Sequence, residues 1–151
     1  MRLEPFTLTL KRREGYAFDL TYDPQKPVLT VDEGPPLGLA EGPSPSKLLA
    51  AAVGHCLSAS LLFCLAKSRV KVDDLTTQVA VHFFRNEAGR WRIQDLDAQL
   101  TLSTPGVESS RIQRCLSLFE DFCVVTASVR QGVPVSVKIK DKHGRLLFEG
   151  T

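Results

Sequence analysis

The sequence predicts an α+β fold in which antiparallel sheets surround one long, buried central helix. Three observations support this prediction. Alternating apolar and polar residues mark several strands, an apolar stretch of helical length follows the first strands, and a second helical pattern with one apolar face follows the later ones. The 151 residues suffice to bury a sizeable core without disulfide bonds, so we expect a single domain over residues 1–151.

Three strands are predicted before the long helix. Alternation over residues 6–11 and 16–22 predicts a β-hairpin, and Val28–Val31 predicts a third strand. Residues 33–45 contain four of the nine prolines and three glycines, a composition typical of a loop.

The long helix is predicted from its first residue to its last. Ser44 and Pro45 suit the N-cap and the first helical position. Residues 48–66 are almost entirely apolar, and we expect the helix to end between Lys67 and Arg69. Such a length also suits a membrane span, but the histidine and serines within it favour burial in protein. Because so short a chain cannot cover this helix on all sides, we expect a homodimer in which a second copy covers part of it.

Further strands and a second helix are predicted after the long helix. Thr76–Arg85 and Trp91–Leu102 alternate on either side of a turn at residues 86–89. The second helix is predicted to begin at Thr104–Gly106, and Val133–Lys140 predicts a last strand followed by a turn and a tail. The residues expected to face the core are Val79, Val81 and Phe83 on the first of these strands, Leu96, Ala98, Leu100 and Leu102 on the next, and Ile112, Cys115, Leu116, Phe119, Phe122 and Cys123 on the helix.

Charge and cysteine content narrow the function classes. The 19 basic and 17 acidic side chains give a net charge of +2, and the longest basic run is Lys11–Arg13, so a footprint for nucleic acid or an anionic membrane is missing. The first ten residues lack the pattern of a secretory signal, and we expect a cytoplasmic protein with reduced thiols. The four cysteines are then inert core residues, redox-active thiols or metal ligands.

Helix geometry limits how the cysteines can pair. Cys56 and Cys64 lie eight residues apart, as do Cys115 and Cys123, and eight helical residues rise about 12 Å. Because a disulfide needs Cα atoms within about 7 Å, a redox couple must join one cysteine of each helix. Cys56 and Cys123 are the candidates, and we expect Cys64, in an apolar stretch, to be a small hydrophobic residue. The spacing does not predict a metal site, since the sequence has no Cys-x-x-Cys pair.

A cysteine hydrolase or acyl transferase is an alternative that needs a histidine beside Cys56. His55 cannot act as the base within the helix, because successive helical residues point about 100° apart. His82 or His143 would have to reach Cys56 through the fold, and both are more typical of solvated surface residues.

Two segments carry distinctive motifs around cysteines. Residues 42–56 contain Gly-Pro-Ser-Pro, Leu-Leu-Ala-Ala-Ala and His-Cys, and residues 119–134 contain Phe-Glu-Asp-Phe-Cys-Val-Val-Thr and Arg-Gln-Gly-Val-Pro. Together they resemble the OsmC/Ohr family of thiol-dependent hydroperoxide reductases, and the similarity extends from the first hairpin to the last strand. The resemblance implies an intertwined OsmC-like homodimer with active sites at the subunit interface.

The resemblance also implies a peroxidase cycle. Cys56 would be the peroxidatic cysteine, Cys123 the resolving one, and Arg13, or else Arg12, the arginine of the first hairpin. The Cys56 thiolate would reduce an organic hydroperoxide or hydrogen peroxide and become a sulfenic acid, and Cys123 would then close a disulfide that an external dithiol reduces. We expect no bound cofactor and no metal. The residues expected to contact the organic part of the substrate are Leu49, Val53, Phe63, Phe119 and Phe122.

The chain departs from the family pattern at one position. Ser46 stands where the organic-hydroperoxide branch has a glutamate that anchors the arginine, and Glu33, Glu41 and Glu120 are the candidates to replace it. This departure motivates an alternative function, a non-catalytic OsmC-like dimer with inert cysteines that acts in a stress response or binds an apolar ligand.

Overall fold

The computed structural model describes residues 3–105 and 110–150, and within them the chain is an α+β protein, as predicted. The contacts divide it into two compact units, Met1–His55 with Thr76–Thr101, and Cys56–Leu75 with Leu102–Thr151. The elements are, in chain order, β1 (Thr9–Arg12), β2 (Phe18–Thr21), β3 (Leu29–Val31), α1 (Pro45–Lys67), β4 (Asp74–Arg85), β5 (Trp91–Ser103), α2 (Ser110–Leu118), a 3₁₀ segment (Phe119–Phe122), α3 (Val124–Gln131), β6 (Val137–Lys140) and β7 (Leu146–Gly150).

The first three strands form an antiparallel sheet in the order β1-β2-β3, which confirms the predicted hairpin and third strand. In the turn between β1 and β2, the Ala17 N–H donates to the Glu14 carbonyl and the Arg13 N–H to the Ala17 carbonyl, each at 2.9 Å. Gly15 has a φ of +54°, a left-handed conformation that glycine adopts without a steric penalty. The strand β1 starts at Thr9, three residues later than the alternation predicts, and Phe6 is exposed.

The bounds of α1 confirm the predicted helix. It begins at Pro45, and the Leu48 N–H donates to the Ser44 carbonyl at 3.0 Å. It ends at Lys67 in a Schellman motif, in which the Val70 N–H donates to the Leu65 carbonyl at 2.9 Å. The preceding residue, Arg69, has the positive φ of this motif.

The helix α1 is less buried than predicted. Its length and apolar composition would suffice for a membrane span, and 39% of its most apolar window is buried in this single chain. The core helix of a soluble protein meets the same criterion of length and composition. Leu62 and Phe63 are exposed, because one chain of this size supplies too few side chains to surround the helix. Cover by a second copy stays a prediction.

The strands β4 and β5 pair in a two-stranded sheet, within a few residues of the predicted bounds. Val79 and Val81 are half-buried, as predicted, whereas Phe83 is exposed. On β5 the predicted Ala98 is exposed as well, while Leu96, Leu100 and Leu102 are half-buried.

The predicted second helix is broken into three pieces. The backbone leaves the helical conformation at Cys123, with φ −83° and ψ 95°, and this residue becomes the N-cap of α3. Its N–H donates to the Glu120 carbonyl at 3.0 Å, which closes the 3₁₀ segment. The β-branched run Val124–Thr126, which has low helix propensity, follows the break. The predicted start at Thr104–Gly106 falls partly outside the described residues.

Half of the predicted core face of this segment is buried. Ile112, Cys115 and Cys123 are buried, whereas Leu116 and Phe122 are exposed. The predicted apolar stripe is therefore buried only in part, both before and within the 3₁₀ segment.

The last strand has a partner that the prediction missed. Residues 146–150 form β7, which pairs antiparallel with β6 instead of being a tail. The turn between them is closed by the Gly144 N–H, which donates to the Asp141 carbonyl at 3.1 Å. The strand was missed because Leu146, Leu147 and Phe148 are consecutive apolar residues that show no alternation.

Candidate active site

Two thiols of the second unit lie in hydrogen-bond contact, those of Cys56 and Cys123. Cys56 lies on α1 and is half-buried, whereas Cys123 is the N-cap of α3 and is fully buried. Both are free thiols. The chain therefore brings together the two sulfurs that the motifs single out, although they are 67 positions apart in the sequence (123 minus 56).

Cys123 is surrounded by groups that stabilise a thiolate. Its sulfur lies 2.9 Å from the Thr126 Oγ1. Burial alone would raise the pKa of Cys123, but hydrogen bonds from Cys56, from the hydroxyl and backbone N–H of Thr126, and from Ser60 outweigh burial and lower the pKa below its ordinary value. The position at the N-terminus of α3 acts in the same direction, because the helix dipole favours negative charge there.

The environment of Cys56 has the opposite effect. Burial raises the pKa of Cys56, and the hydrogen bond to Cys123 and the charge of that sulfur raise it further, while the backbone N–H groups of Val125 and Thr126 oppose this only in part. The two thiols titrate as a coupled pair. When the pair has lost one proton, the negative charge lies on Cys123 and Cys56 donates its S–H to it. This location of the charge was not predicted from the sequence, because it depends on the break before α3.

The other two cysteines form a disulfide, Cys64–Cys115, with Cα atoms 5.6 Å apart. The prediction that Cys64 is a small hydrophobic residue is therefore wrong. The disulfide joins one cysteine of α1 to one of α2, as the eight-residue spacing within each segment requires. Hydropathy alone cannot distinguish a buried thiol from a buried disulfide. The Ser68 Oγ lies 3.3 Å from the Cys115 sulfur.

In the first unit, Arg13 is held by three oxygen atoms. Its Nε lies 3.7 Å from Asp19 Oδ1, and its Nη1 lies 3.8 Å from Glu41 Oε2 and donates to Thr30 Oγ1 at 3.3 Å. The neighbouring Arg12 instead donates from Nε to the Gly15 carbonyl at 2.9 Å and so closes the hairpin turn.

Of the three predicted anchors, Glu41 is the one paired with the hairpin arginine. Glu120 pairs with Arg130 at 3.2 Å in the second unit. Ser46, which stands where the resemblance leads one to expect a glutamate, has its hydroxyl 3.3 Å from that of Ser44 at the start of α1. Asp19, the other carboxylate beside Arg13, was not predicted.

The loop that carries Glu41 is organised by the buried carboxylate of Asp32. Its oxygens accept hydrogen bonds from the backbone N–H groups of Glu33 at 2.8 Å, Leu39 at 2.9 Å and Glu41 at 3.2 Å. Burial alone would raise the pKa of Asp32, but the backbone hydrogen bonds, including one from Ala40, outweigh it and lower the pKa. A charged Asp32 therefore fixes the backbone from which the Glu41 side chain reaches Arg13.

The five residues predicted to contact substrate differ in exposure. Val53 is buried, and Leu49 and Phe119 are half-buried. Phe63 and Phe122 are 56% and 61% exposed. An apolar cavity of about 260 Å³ lies in the first unit and has none of these five among its lining residues, which are Leu10, Tyr16, Phe18, Val31, Asp32, Glu33 and Pro45. Contact of the five residues with a substrate stays a prediction.

The two histidines considered as bases both lie in exposed positions. His82 Nδ1 is 2.5 Å from Asp95 Oδ1 and 3.7 Å from Asp97 Oδ2. His143 lies in the turn before β7, where its N–H donates to Asp141 Oδ1 at 2.9 Å. Ligand atoms of His82, Asp95 and Asp97 lie within 4.8 Å of one another, and this is the one group of potential metal ligands among the described residues.

The ion pair of His82 gives stability a specific pH dependence. The hydrogen bond that His82 donates to Asp95, and then the charges of Asp95 and Asp97, raise the pKa of His82. A raised pKa in the folded state means that the pair stabilises the protein fully below the unfolded pKa of about 6.5 and loses this effect as pH rises through the folded pKa. We expect Asp95→Asn to lower the melting temperature at about pH 5.5, and the difference from wild type to shrink as pH rises above about 6.5.

The matched control for this measurement is Asp97→Asn, which removes the carboxylate at the longer distance. We expect a smaller change at acidic pH, because the 3.7 Å contact is exposed and solvent-screened. A difference in melting temperature between wild type and Asp95→Asn that does not change with pH would contradict this interpretation.

Solved structures share this arrangement of strands and helices. They include an OsmC-like protein from Mycoplasma pneumoniae, with 18% identity and a TM-score of 0.71, covering 86% of this chain and 89% of that one. An OsmC-like protein from Vibrio cholerae has 16% identity and a TM-score of 0.67, covering 83% and 94%. The organic hydroperoxide resistance protein OhrB of Bacillus subtilis has 20% identity and a TM-score of 0.57, covering 84% and 93%.

These likenesses show an OsmC-like fold, which confirms the predicted architecture of the single chain. The family model for OsmC-like proteins matches residues 38–138, and the chain belongs to the OsmC-like family. Among curated proteins, no sequence matches this chain.

Proposed function

We propose that the chain is a thiol-dependent peroxidase that reduces organic hydroperoxides with Cys56 and resolves the product with Cys123. The observation that carries the proposal is the contact of these two free thiols. Solved structures with the same fold include organic hydroperoxide resistance proteins of Bacillus subtilis and Elizabethkingia anophelis. Hydrogen peroxide is the second substrate candidate.

The first step depends on the proton in the hydrogen bond between the Cys56 and Cys123 sulfurs. Cys56 is the more accessible sulfur, so a peroxide meets it first. Its proton passes along the hydrogen bond to Cys123, and the Cys56 thiolate attacks the distal peroxide oxygen. The S–O bond forms and the O–O bond breaks, which oxidises the sulfur to a sulfenic acid and reduces the peroxide. The alkoxide leaves as an alcohol by taking the proton from Cys123.

The second step uses the thiolate that the first step leaves on Cys123. This thiolate attacks the sulfur of the Cys56 sulfenic acid, the S–S bond forms, and hydroxide leaves and is protonated by solvent. The hydrogen bonds from the hydroxyl and backbone N–H of Thr126 and from Ser60, which lower the pKa of Cys123, stabilise this thiolate. An external dithiol then reduces the disulfide by two exchange steps and restores both thiols.

A cation is needed to stabilise the thiolate on Cys56, and we assign this role to Arg13, from the same protomer or a second copy. A guanidinium at about 4 Å is worth roughly 4 kcal/mol at an effective dielectric constant of 20, or up to about three pKa units before desolvation is subtracted. The same group would stabilise the leaving alkoxide. Glu41 and Asp19 are the positioning residues of Arg13, and they replace the glutamate that the family has at the position of Ser46.

The proposal includes a homodimer in the cytoplasm, without nucleic acid or membrane as a partner. Apolar side chains exposed in the single chain support the dimer, because contiguous exposed apolar surface marks protein interfaces. They include Leu62 and Phe63 on α1, and Val137, Ile139 and Phe148 on the β6–β7 hairpin.

Peroxide consumption tests the proposed function directly. Reduced protein is mixed with tert-butyl hydroperoxide or hydrogen peroxide, and peroxide and free thiols are measured together. We expect wild type to consume one equivalent of peroxide per chain and lose two thiols, with faster consumption of the organic peroxide, and Cys56→Ser to consume none. A wild-type protein whose thiols do not react at neutral pH would contradict the proposal and favour the non-catalytic, ligand-binding alternative.

A further inference from the structure

A second cysteine pair has no part in the cycle proposed above. The disulfide Cys64–Cys115 joins α1 to α2 within the second unit. Cys64 lies eight residues after Cys56, which is about 12 Å along the helix axis, so the sulfurs of the two pairs are too far apart to exchange directly. Any thiol that reduces the Cys64–Cys115 disulfide must therefore come from another molecule.

The two pairs repeat one arrangement along α1. Cys56, Ser60, Cys64 and, just after the end of the helix, Ser68 follow one another at four-residue intervals, so each lies about one turn beyond the one before it. Each cysteine of this row pairs with a cysteine further along the chain, and that partner's sulfur also contacts the next serine of the row. Cys123 contacts Ser60 in the first pair, and Cys115 contacts Ser68, at 3.3 Å, in the second.

The second pair is asymmetric in the way that directed thiol exchange requires. Cys64 is half-buried, whereas Cys115 is 1% exposed, so Cys64 is the more accessible residue of the pair. The Ser68 hydroxyl beside the Cys115 sulfur can donate a hydrogen bond to a thiolate leaving there. A better-stabilised leaving thiolate makes exchange faster.

We propose that Cys64–Cys115 is a second thiol–disulfide exchange site, at which the thiolate of an external dithiol attacks Cys64 and expels Cys115. In the first step the reductant sulfur bonds to Cys64 and the S–S bond of the protein breaks, leaving a Cys115 thiolate. The second thiol of the reductant, as its thiolate, then displaces Cys64. The dithiol ends as a disulfide, the protein gains two electrons, and both protein thiolates take protons from solvent.

The test uses the variant Cys56→Ser/Cys123→Ser, which removes the peroxidase cycle, so that failure of this proposal is distinct from failure of the proposed function. The oxidised variant and oxidised wild type are treated with dithiothreitol under native conditions, quenched by alkylation and analysed by peptide mass spectrometry. We expect a Cys64–Cys115 linked peptide before treatment and its loss under native conditions in both proteins. A bond that opens only after denaturation, or that is absent from oxidised protein, would overturn the proposal.

The direction of attack is tested with one cysteine at a time. In the same background, Cys115→Ser leaves the Cys64 thiol and Cys64→Ser leaves the Cys115 thiol, and each reacts with a small aromatic disulfide. We expect the Cys64 thiol to react at least about tenfold faster, because its partner is buried. Equal rates, or a faster Cys115, would overturn the assignment of the attacked sulfur.

The role of Ser68 is tested on the intact disulfide. We expect Ser68→Ala to slow reduction by dithiothreitol by roughly three- to tenfold, because the leaving thiolate loses a hydrogen bond. The matched control is Ser117→Ala on α2. The Ser117 hydroxyl donates to the Arg114 carbonyl at 2.8 Å, and within the described residues it is not hydrogen-bonded to the sulfur of Cys64 or Cys115. Equal slowing in both variants would overturn the role of Ser68.

Discussion

The Cys123→Ser variant is expected to reduce one equivalent of peroxide and then stall. Serine cannot attack the Cys56 sulfenic acid to form a disulfide, so the oxidised sulfur waits for an external thiol or is oxidised further by peroxide. We expect the multiple-turnover rate with a dithiol and excess peroxide to fall by about a hundredfold or more, with mass additions of one and then further oxygen atoms on Cys56.

The same variant is expected to change the pH dependence of the first turnover. In wild type, burial, the hydrogen bond to Cys123 and the charge of that sulfur together raise the pKa of Cys56. In the proposed cycle the wild-type pair loses its first proton at Cys123, whose pKa is lowered, and the Cys56 proton then passes to that sulfur. Without Cys123, Cys56 must lose its proton to solvent, and burial still raises its pKa. The rate constant of the first turnover is therefore expected to reach its plateau at higher pH than in wild type.

The control for both measurements is Cys64→Ser/Cys115→Ser, which removes the two sulfurs of the other pair and leaves Cys56 and Cys123 unchanged. We expect it to complete the cycle and to keep the wild-type pH profile. Sustained turnover of Cys123→Ser at the wild-type rate would contradict the resolving role of Cys123, since an external thiol would then resolve the sulfenic acid directly.

The second large effect is expected at Arg13. Arg13→Ala is expected to slow oxidation of Cys56 at neutral pH by at least about tenfold, because even a third of the roughly 4 kcal/mol available from a guanidinium at 4 Å corresponds to one pKa unit. The pKa of Cys56, measured from the pH dependence of alkylation, is expected to rise in this variant. Stopped-flow measurement of the second-order rate constant gives the effect on the reaction itself.

Two further variants separate position from charge. Glu41→Gln keeps the size of the anchor but removes its charge, and we expect it to slow the oxidation of Cys56 several-fold. Because Glu41 acts through Arg13, the double variant Glu41→Gln/Arg13→Ala is expected to be no slower than Arg13→Ala. Arg12→Ala removes the guanidinium that closes the hairpin turn. A loss in Arg12→Ala as large as that in Arg13→Ala, with no change in the pKa of Cys56 in the latter, would contradict the assignment of Arg13.

Local signals explain which parts of the fold were predicted. The start of α1 depends on Ser44 and Pro45 themselves, and the turn between β1 and β2 on a glycine with positive φ, so a single sequence contains the necessary information. The strand β7 was missed because its apolar residues do not alternate. The break at Cys123 was missed because spaced apolar residues favour one continuous helix, whereas the backbone there turns into the cap of α3.

The chemistry of the site was predictable only in part. The motifs single out Cys56 and Cys123, whose thiols lie in hydrogen-bond contact, and Glu41 was one of three possible anchors for the arginine. The Cys64–Cys115 disulfide joins residues 51 positions apart, and no local pattern specifies such a contact. Which sulfur of the Cys56–Cys123 pair holds the proton also depends on contacts across the fold, from Ser60 and from the backbone N–H groups at the start of α3.

The most direct measurement is to locate the bond formed when reduced protein meets one equivalent of organic hydroperoxide. Peptides generated under non-reducing conditions are separated and identified by mass spectrometry. We expect one linked peptide to appear in proportion to the peroxide added, joining Cys56 to Cys123. Recovery of Cys56 and Cys123 as free thiols after the peroxide has been consumed, or their separate linkage to other cysteines, would contradict the central claim.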